Sequence, residues 1–299
     1  MTVADGKLNS MSCRIIDAFS SVRPTVSFEF FPPKSEEGEK SLWVTIQTLQ
    51  DLNPDFISIT RTGEGTSATL RLTSRIQSEL GIRSMSHLTC LHHTDEEMHA
   101  HLEELWQSGI QNVLALRGDL DPGAAPRISQ FQYGNDLVSF IAQKHPFCIS
   151  VAGYPEGHPQ CLNLTRDVEH LKAKIDAGAS YIITQLFFDN DDFFRWRDKV
   201  SLSGIHVPIV AGIMPITNVA QIKRFVTRCG AKIAHPLLLR LEAAEDTLES
   251  VLRIGQDHAL EQLAGLVDGG ISGLHFYTLN KSKATANIVR LWRGMQPVY

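Results

Sequence analysis

Glu29 is the first residue of the chain whose position could serve proton transfer. In the segment Ser27-Phe28-Glu29-Phe30 the glutamate alternates with two aromatic residues, so on a strand its carboxylate points away from their face. If the strand belongs to a small barrel and the carboxyl points into it, burial disfavours the charged form and we expect a raised pKa. A raised pKa suits a general acid near neutral pH. A structural carboxylate paired with an arginine explains the pattern equally well.

Asp119 is a second candidate for the chemical centre. It follows the apolar run 113–116 and the pair Arg117-Gly118, which places it where a buried strand ends. The glycine would let a flat ligand approach the backbone closely. The alternative is an ordinary aspartate in the turn after a strand.

Other polar residues stand at the ends of β-rich runs or just after them, so that seven of eight such runs supply at least one. Because the C-terminal ends of parallel barrel strands form one face, these side chains would ring a common site. The further members of this ring are Thr60, Arg61, His87, Tyr154, Glu156, His158, Gln185, Tyr277 and Asn280.

The elements that must position this ring alternate along the chain. β-rich runs are followed by amphipathic helical stretches, which predicts parallel strands joined by helical crossovers, and eight strands predict a (β/α)8 TIM barrel. We treat 1–299 as a single catalytic domain, with 1–24 as an N-terminal extension or helix. The predicted strands are 26–30, 56–60, 85–89, 112–116, 148–152, 181–185, 208–211 and 273–277, and the predicted helices are 37–52, 68–80, 95–108, 135–144, 164–177, 191–203 and 218–228, with two more helical stretches inside 234–266.

A glycine-rich segment after the second strand invites comparison with phosphate-binding loops. Gly63-Glu64-Gly65 begins a GxGxxA pattern between a strand and a helix. The segment follows the second strand rather than the first, and no acidic residue ends a strand about 20 residues further on, as a dinucleotide fold requires. A flexible loop on the rim is therefore favoured over a phosphate loop.

The histidines do not predict a metal site. His92 and His93 are adjacent, and His99 and His101 are two apart on a predicted helix, so neither pair shares a face. We expect solvated histidines and no metal.

Composition limits the classes of partner. The 299 residues carry a net charge of −5, which argues against nucleic acid or an anionic membrane as the main partner. The first two dozen residues lack an apolar stretch, and no apolar run approaches a membrane span, so we expect no signal peptide and a cytoplasmic protein. The five cysteines show no CxxC spacing, which fits a reducing compartment. Homo-oligomerisation is left open.

Six motifs, in order along the chain, resemble those of methylenetetrahydrofolate reductase of the bacterial, single-domain type. Each motif is weak alone, and the specificity lies in the ordered set. The motifs are Ser27-Phe28-Glu29-Phe30-Phe31-Pro32-Pro33, His87-Leu88-Thr89-Cys90, Ala115-Leu116-Arg117-Gly118-Asp119, Tyr154-Pro155-Glu156-Gly157-His158-Pro159, Ile183-Thr184-Gln185-Leu186-Phe187-Phe188-Asp189 and Phe276-Tyr277-Thr278-Leu279-Asn280.

The resemblance implies an FAD-dependent oxidoreductase of one-carbon metabolism and methionine biosynthesis. It would pass electrons from NADH or NADPH to 5,10-methylenetetrahydrofolate, giving 5-methyltetrahydrofolate. Glu29 would be the general acid that helps to open the five-membered ring toward an iminium cation, and Asp119 the carboxylate that stabilises this cation. Gln185, Tyr277 and Lys281 would contact the folate, as Glu29 and Asp119 do. The residues implied for FAD are Thr60, His87, Arg117, Gly118, Asp119, Tyr133, Tyr154, His158, Asp167 and Lys174.

Three positions depart from the pattern that the resemblance implies. Arg61 stands where an aromatic residue is frequent, Leu241 lies in the segment expected to carry a rim phenylalanine, and Lys281 replaces an arginine. These departures bear on donor preference and on how the folate tail is held. The chain ends soon after the eighth strand, so we expect no separate regulatory domain.

Three other functions remain to be weighed. A proline dehydrogenase-like FAD barrel would share the fold but not the substrate, and a pterin-binding methyltransferase would need no flavin. A folate- or flavin-binding subunit without catalysis is the non-enzymatic alternative. Glu29 on the first strand and Asp119 after the fourth favour the folate reductase over the first and the third. A flavin absorbance spectrum of the purified protein would exclude the methyltransferase.

Overall fold

Eight parallel strands close into a barrel in the computed structural model, and the last strand pairs with the first. The structure describes residues 13–20, 22–61, 66–119, 130–161 and 163–295. The glycine-rich segment at Gly63 and Gly65 lies outside the described residues. The strands are β1 (Thr25–Phe30), β2 (Phe56–Ile59), β3 (Arg83–Thr89), β4 (Asn112–Leu116), β5 (Cys148–Gly153), β6 (Tyr181–Thr184), β7 (Ile209–Ile213) and β8 (Gly273–Tyr277).

Helices connect and surround these strands, as the alternation predicts. Every predicted strand and barrel helix is confirmed, with ends that shift by no more than two residues. The two helical stretches expected inside 234–266 are α8 and α9. The described helices are α1 (Glu36–Gln50), α2 (Thr66–Leu80), α3 (Asp95–Gln107), α4 (Gly134–Ala142), α5 (Leu164–Asp176), α6 (Asn190–Leu202), α7 (Val219–Cys229), α8 (His235–Ala243), α9 (Leu248–Asp268) and α10 (Lys283–Trp292).

Helix α10 was not predicted from the sequence. It buries Ala286, Ile288 and Val289 and packs against α9, so the eighth strand has its own helix like the others. The N-terminal segment is also shorter in structure than a full helix, since only the 3-10 turn Ile15–Ser20 forms in its described part.

Asparagine side chains fix where two helices of the catalytic face begin. Asn163 Oδ1 accepts the backbone N–H groups of Thr165 and Arg166 at the start of α5, and Asn218 accepts that of Gln221 at the start of α7. Such N-caps satisfy backbone donors that no helical carbonyl can reach. These two asparagines therefore set the starting points of α5 and α7, and both helices flank the site.

The N-terminal end of the barrel is filled and closed. Phe56, Met85 and Tyr181 are fully buried in the interior, and Ile15 covers them from the 3-10 turn. Asn112 on β4 holds this turn in place, because its Oδ1 accepts the N–H of Ile15 at 2.8 Å. In the described part of the chain, the open end of the barrel is therefore the opposite, C-terminal one. Among the described residues, no helix is long and apolar enough to cross a membrane.

Candidate active site

A cavity of about 400 Å³ opens at the C-terminal ends of the strands. This is the face on which (β/α)8 barrels place their active sites. Ten of the fourteen predicted site residues line it, so the structure brings most of the predicted ring together. They are Glu29, Thr60, His87, Arg117, Gly118, Asp119, Tyr154, His158, Gln185 and Tyr277.

Glu29 lies in the cavity with two imidazoles. Its Oε2 is 3.3 Å from Nε2 of His275 on β8 and 3.5 Å from Nε2 of His87 on β3. Its side chain is 17% exposed, while the histidine side chains are 0% and 6% exposed. The acid is thus held inside the barrel and still reaches the cavity.

A serine hydroxyl lies within hydrogen-bond distance of each of these imidazoles. Ser27 Oγ is 2.8 Å from Nδ1 of His275, and Ser58 Oγ is 2.6 Å from Nε2 of His87. When Ser27 donates to Nδ1, the ring proton of a neutral His275 sits on Nε2, where it can be donated to Glu29. Ser27 Oγ also lies 3.3 Å from the carbonyl oxygen of Leu274, a second acceptor for the same hydroxyl proton.

The net shift of the Glu29 pKa is downward, which makes the expected rise wrong. Burial does act to raise this pKa, but the hydrogen bond from His275 and the charges of His87 and His275 outweigh it. The strand pattern located the acid but could not show its partners, which come from β3 and β8. Glu29 is therefore a carboxylate near neutral pH.

His87 differs from Glu29 in its charge state. Burial lowers the pKa of His87 to about 4, against the opposing effect of Glu29. His87 is thus neutral near pH 7, and its charge favours the Glu29 carboxylate only in the acidic range where His87 is protonated.

Basic side chains gather at the edge of the cavity between β4 and α5, a place that we call the basic corner and that contains Arg117, His158 and Lys174. His158 feels the charges of Asp167, Lys174, Arg117 and Asp119, so these groups lie near one another. Burial is the largest cause of the lowered pKa of His158. Two cations and an imidazole at one place form a donor set that suits a diphosphate.

Lys174 is the most deeply placed of these cations. Burial lowers its pKa to about 8, partly offset by Asp167, and its Nζ donates to the carbonyl of Ala152 at 2.8 Å. Arg117 donates from Nη1 to Gln160 Oε1 at 2.8 Å, while its buried Nε has no hydrogen-bond partner. Gly118, at φ +83°, has the left-handed backbone that lets the chain turn toward Asp119. These residues fit the diphosphate of FAD.

The four remaining predicted residues lie outside the described lining of the cavity. Asp167 and Lys174 sit behind it on α5, as expected from their spacing on one helix. Tyr133 is 61% exposed and precedes Gly134, which packs beside the Lys174 side chain. Lys281 is exposed just after β8. The structure thus places Tyr133 near the basic corner and Lys281 at the rim.

Gln185 and Tyr277 line the opposite wall. Gln185 Oε1 accepts the N–H of Leu186 at 2.9 Å, which leaves its amide nitrogen as the donor toward a ligand. Tyr277 donates its hydroxyl to the carbonyl of Thr184 at 2.6 Å and lies against Gly212. Tyr277 therefore braces the ends of β6 and β8 as well as contacting the cavity.

Comparison with known sequences decides the family. A sequence model of methylenetetrahydrofolate reductase matches residues 14–292. The chain belongs to the methylenetetrahydrofolate reductase family. The 5,10-methylenetetrahydrofolate reductase of Escherichia coli (strain K12) is 37% identical to it, over 86% of this chain and 87% of that protein. Methylenetetrahydrofolate reductase (NADH) 1 of Arabidopsis thaliana is 38% identical, over 92% of this chain and 50% of that protein.

A solved structure of similar fold agrees with the barrel assignment. It is an uncharacterized protein from Clostridium thermocellum that binds two copies of 5-methyl-5,6,7,8-tetrahydrofolic acid. The TM-score is 0.63 with 17% sequence identity, over 90% of this chain and 93% of that one. The resemblance inferred from the six motifs is confirmed by the sequence comparisons, and the barrel is confirmed by this structure.

The rim phenylalanine expected of a methylenetetrahydrofolate reductase does not come from the segment at Leu241. Leu241 on α8 is fully buried in an apolar cluster with Met214 and Leu237. Phe225 on α7 lines the cavity instead. The apolar spacing from Val219 through Phe225 on a predicted helix could have indicated this residue, but not which end of the helix faces the site.

The expectation of solvated histidines is wrong for part of the set. His93 and His101 are 5% and 6% exposed, and their rings stack with centroids 6.1 Å apart. His99, in contrast, is exposed. Because His99 and His101 are two residues apart on α3, only His101 points toward the protein interior. There it stacks on His93 in the loop after β3.

Replacing His275 with Phe should raise the pKa of the Glu29 carboxyl. The variant keeps the burial that favours the acid form and loses the hydrogen bond that favours the carboxylate, so we expect the pKa to rise. The measurement is a pH titration of the carboxyl carbon signals of labelled glutamate by NMR. His206→Phe, at an exposed position, is the matched control. An unchanged Glu29 pKa in a folded His275→Phe protein would contradict the assignment.

Proposed function

We propose that the chain reduces 5,10-methylenetetrahydrofolate to 5-methyltetrahydrofolate, with electrons that a reduced nicotinamide delivers through FAD. The observation that carries the proposal is the sharing of one cavity by Glu29 and Asp119, next to the basic corner at Arg117. Membership of the family supports the folate substrate. The acid and the basic corner supply the two things that such a reaction asks of the protein, which are proton donation and cofactor anchoring.

Arg117, His158 and Lys174 would hold the diphosphate of FAD. The chemistry that FAD would supply there is hydride transfer from the nicotinamide to the folate. Lys174 lies against the carbonyl of Ala152, so its ammonium group is fixed before any ligand arrives. Gly118 presents backbone without a side chain at the same edge, which allows a flat ring to approach.

Glu29 would supply the proton that opens the five-membered ring. The bond between the bridging carbon and N10 of the folate breaks, N10 takes the proton, and the carbon remains bound to N5 as an iminium cation. Because the pKa of Glu29 is lowered in the open site, the residue must gain its proton as ligands displace water. Desolvation then raises its pKa, which favours the acid form just when a proton is needed.

Asp119 would stabilise the iminium cation. It lies on the cavity wall after β4, where its charge is felt by Tyr154 and Cys229 on other elements. A carboxylate near a developing cation lowers the energy of the transition state, and more so when water is excluded. Gln185 would donate its amide N–H to the folate.

The alternative of a proline dehydrogenase-like barrel is not favoured, because family membership covers residues 14–292. The electron donor is proposed as NADH or NADPH. The Arabidopsis relative, which is named as an NADH enzyme, supports the first.

FAD affinity should decrease as the pH rises through about 8. The lowered pKa of Lys174 means that it is charged below this pH and loses its charge above it. A bound diphosphate favours the charged form, so binding takes up a proton in the alkaline range. Fluorescence titration of FAD between pH 6.5 and 9.5 measures this, and Lys174→Met should weaken binding by about tenfold or more at pH 7.

The control is Lys172→Met, an exposed lysine on the same helix that pairs with Asp176. It should bind FAD as the unmodified protein does. Equal Kd values and equal pH dependence in Lys174→Met would remove Lys174 from the FAD site.

Replacing Glu29 with Gln should separate the two half-reactions. Reduction of the bound flavin by the nicotinamide needs no proton from Glu29 and should stay within a few-fold of normal. Folate reduction should fall by about 10²–10⁴, the usual contribution of a general acid. Anaerobic single-turnover kinetics measure both steps. A parallel loss in both would indicate a structural role for Glu29.

Asp119→Asn is the companion variant, since it keeps shape and removes charge. It should change the redox behaviour of the flavin and slow folate turnover together. A flavin of unaltered reduction potential would exclude Asp119 from its surroundings.

A further inference from the structure

The loop between β5 and α5 carries a carboxylate that faces away from the cavity. Within this β5–α5 loop, residues 154–161, Tyr154 and His158 line the cavity. Glu156 instead turns to the connection after α7, where both its carboxylate oxygens lie 3.0 Å from the backbone N–H of Lys232. The catalytic steps proposed above do not use this carboxylate.

A second contact joins the same two segments. Gly230 ends α7 with φ +73°, and a Cβ at this position would lie 2.9 Å from Cγ of Pro159. The proline ring therefore rests directly on the helix end. Pro159 and Glu156 hold the β5–α5 loop against the end of α7 at two points.

The joined segments belong to different parts of the site. The β5–α5 loop carries His158, which lies in the basic corner proposed for the FAD diphosphate. It also carries Gln160, which accepts a hydrogen bond from Arg117. Helix α7 carries Phe225 and Cys229 in the cavity wall on the substrate side. The contacts of Glu156 and Pro159 thus link a segment of the basic corner to a segment of the opposite cavity wall.

We propose that Glu156 is a positioning residue that couples the FAD-binding β5–α5 loop to the substrate-facing helix α7. Since it assigns the loop to FAD and the helix to the folate side, the inference rests on the proposed function. Glu156 acts through the N–H of Lys232 and touches neither ligand. Breaking the contact would free the end of α7 and the loop together.

The charges around Glu156 make the coupling sensitive to pH. Burial raises the pKa of Glu156 to about 7, and Asp192 and Asp189 at the start of α6 add to the rise. The N–H and the charge of Lys232 act in the opposite direction. Above pH 7 the contact is a charge-assisted hydrogen bond, and below pH 7 the carboxyl becomes neutral and the bond weakens.

Hydrogen exchange of the protein without ligands tests the contact itself. In Glu156→Ala, amide exchange should accelerate about tenfold both in the β5–α5 loop and in residues 226–234, because the bond to Lys232 is lost. The control is Glu242→Gln on α8, which removes an exposed ion pair with Lys223 on α7. This variant should leave the exchange rates of both segments unchanged. Acceleration confined to the loop would overturn the coupling.

The pH profile distinguishes positioning from a merely structural role. In the unmodified protein, Kd for FAD and KM for the folate should both increase a few-fold as the pH falls through 7, with little change in kcat. Glu156→Gln cannot ionise, so it should keep the acidic values as the pH rises through 7, below the range in which Lys174 loses its charge. A Gln variant that keeps the normal profile would overturn the proposal. Failure of the unmodified protein to bind FAD would refute the proposed function, and the exchange measurement would still decide the coupling.

Discussion

The contact of Glu29 with two buried imidazoles is the constraint on which the site depends. A carboxylate inside a barrel is unstable unless hydrogen bonds replace the water it loses. His275 on β8 provides such a hydrogen bond, and His87 on β3 lies 3.5 Å from the same carboxylate oxygen. Ser27 and Ser58 contact the two rings and orient them. Because a shift of one residue in a strand turns each side chain to the other face, the contact requires an undisturbed register in three strands.

The division of the barrel into two ends follows from the same constraint. Apolar side chains fill the N-terminal end, and the turn held by Asn112 closes it. Polar groups are thereby confined to the C-terminal face, where loops can cover them. On that face the acid lies near the axis and the cations lie toward α5, so protonation and phosphate binding occupy separate regions. The β5–α5 loop connects these regions with α7.

The sequence was sufficient for the barrel and for most of the polar residues that line the cavity. Period-two and helical patterns depend on local spacing, and the polar strand ends follow from parallel topology, so Glu29, Asp119 and Gln185 could be placed without coordinates. The pKa of Glu29 could not be predicted in the same way, because its direction depends on residues almost 60 and 250 positions away in the chain. Phe225 was not recognised, and Glu156 was expected in the ring of the cavity but contacts Lys232 instead. Neither position could be predicted, since the packing of loops and helix ends has no sequence period.

Anaerobic stopped-flow of the unmodified protein with FAD follows both half-reactions. We expect NADH or NADPH to bleach the flavin absorbance, and 5,10-methylenetetrahydrofolate to restore it with formation of 5-methyltetrahydrofolate. A flavin that neither nicotinamide reduces, or a reduced flavin that the folate does not reoxidise, would contradict the proposed function.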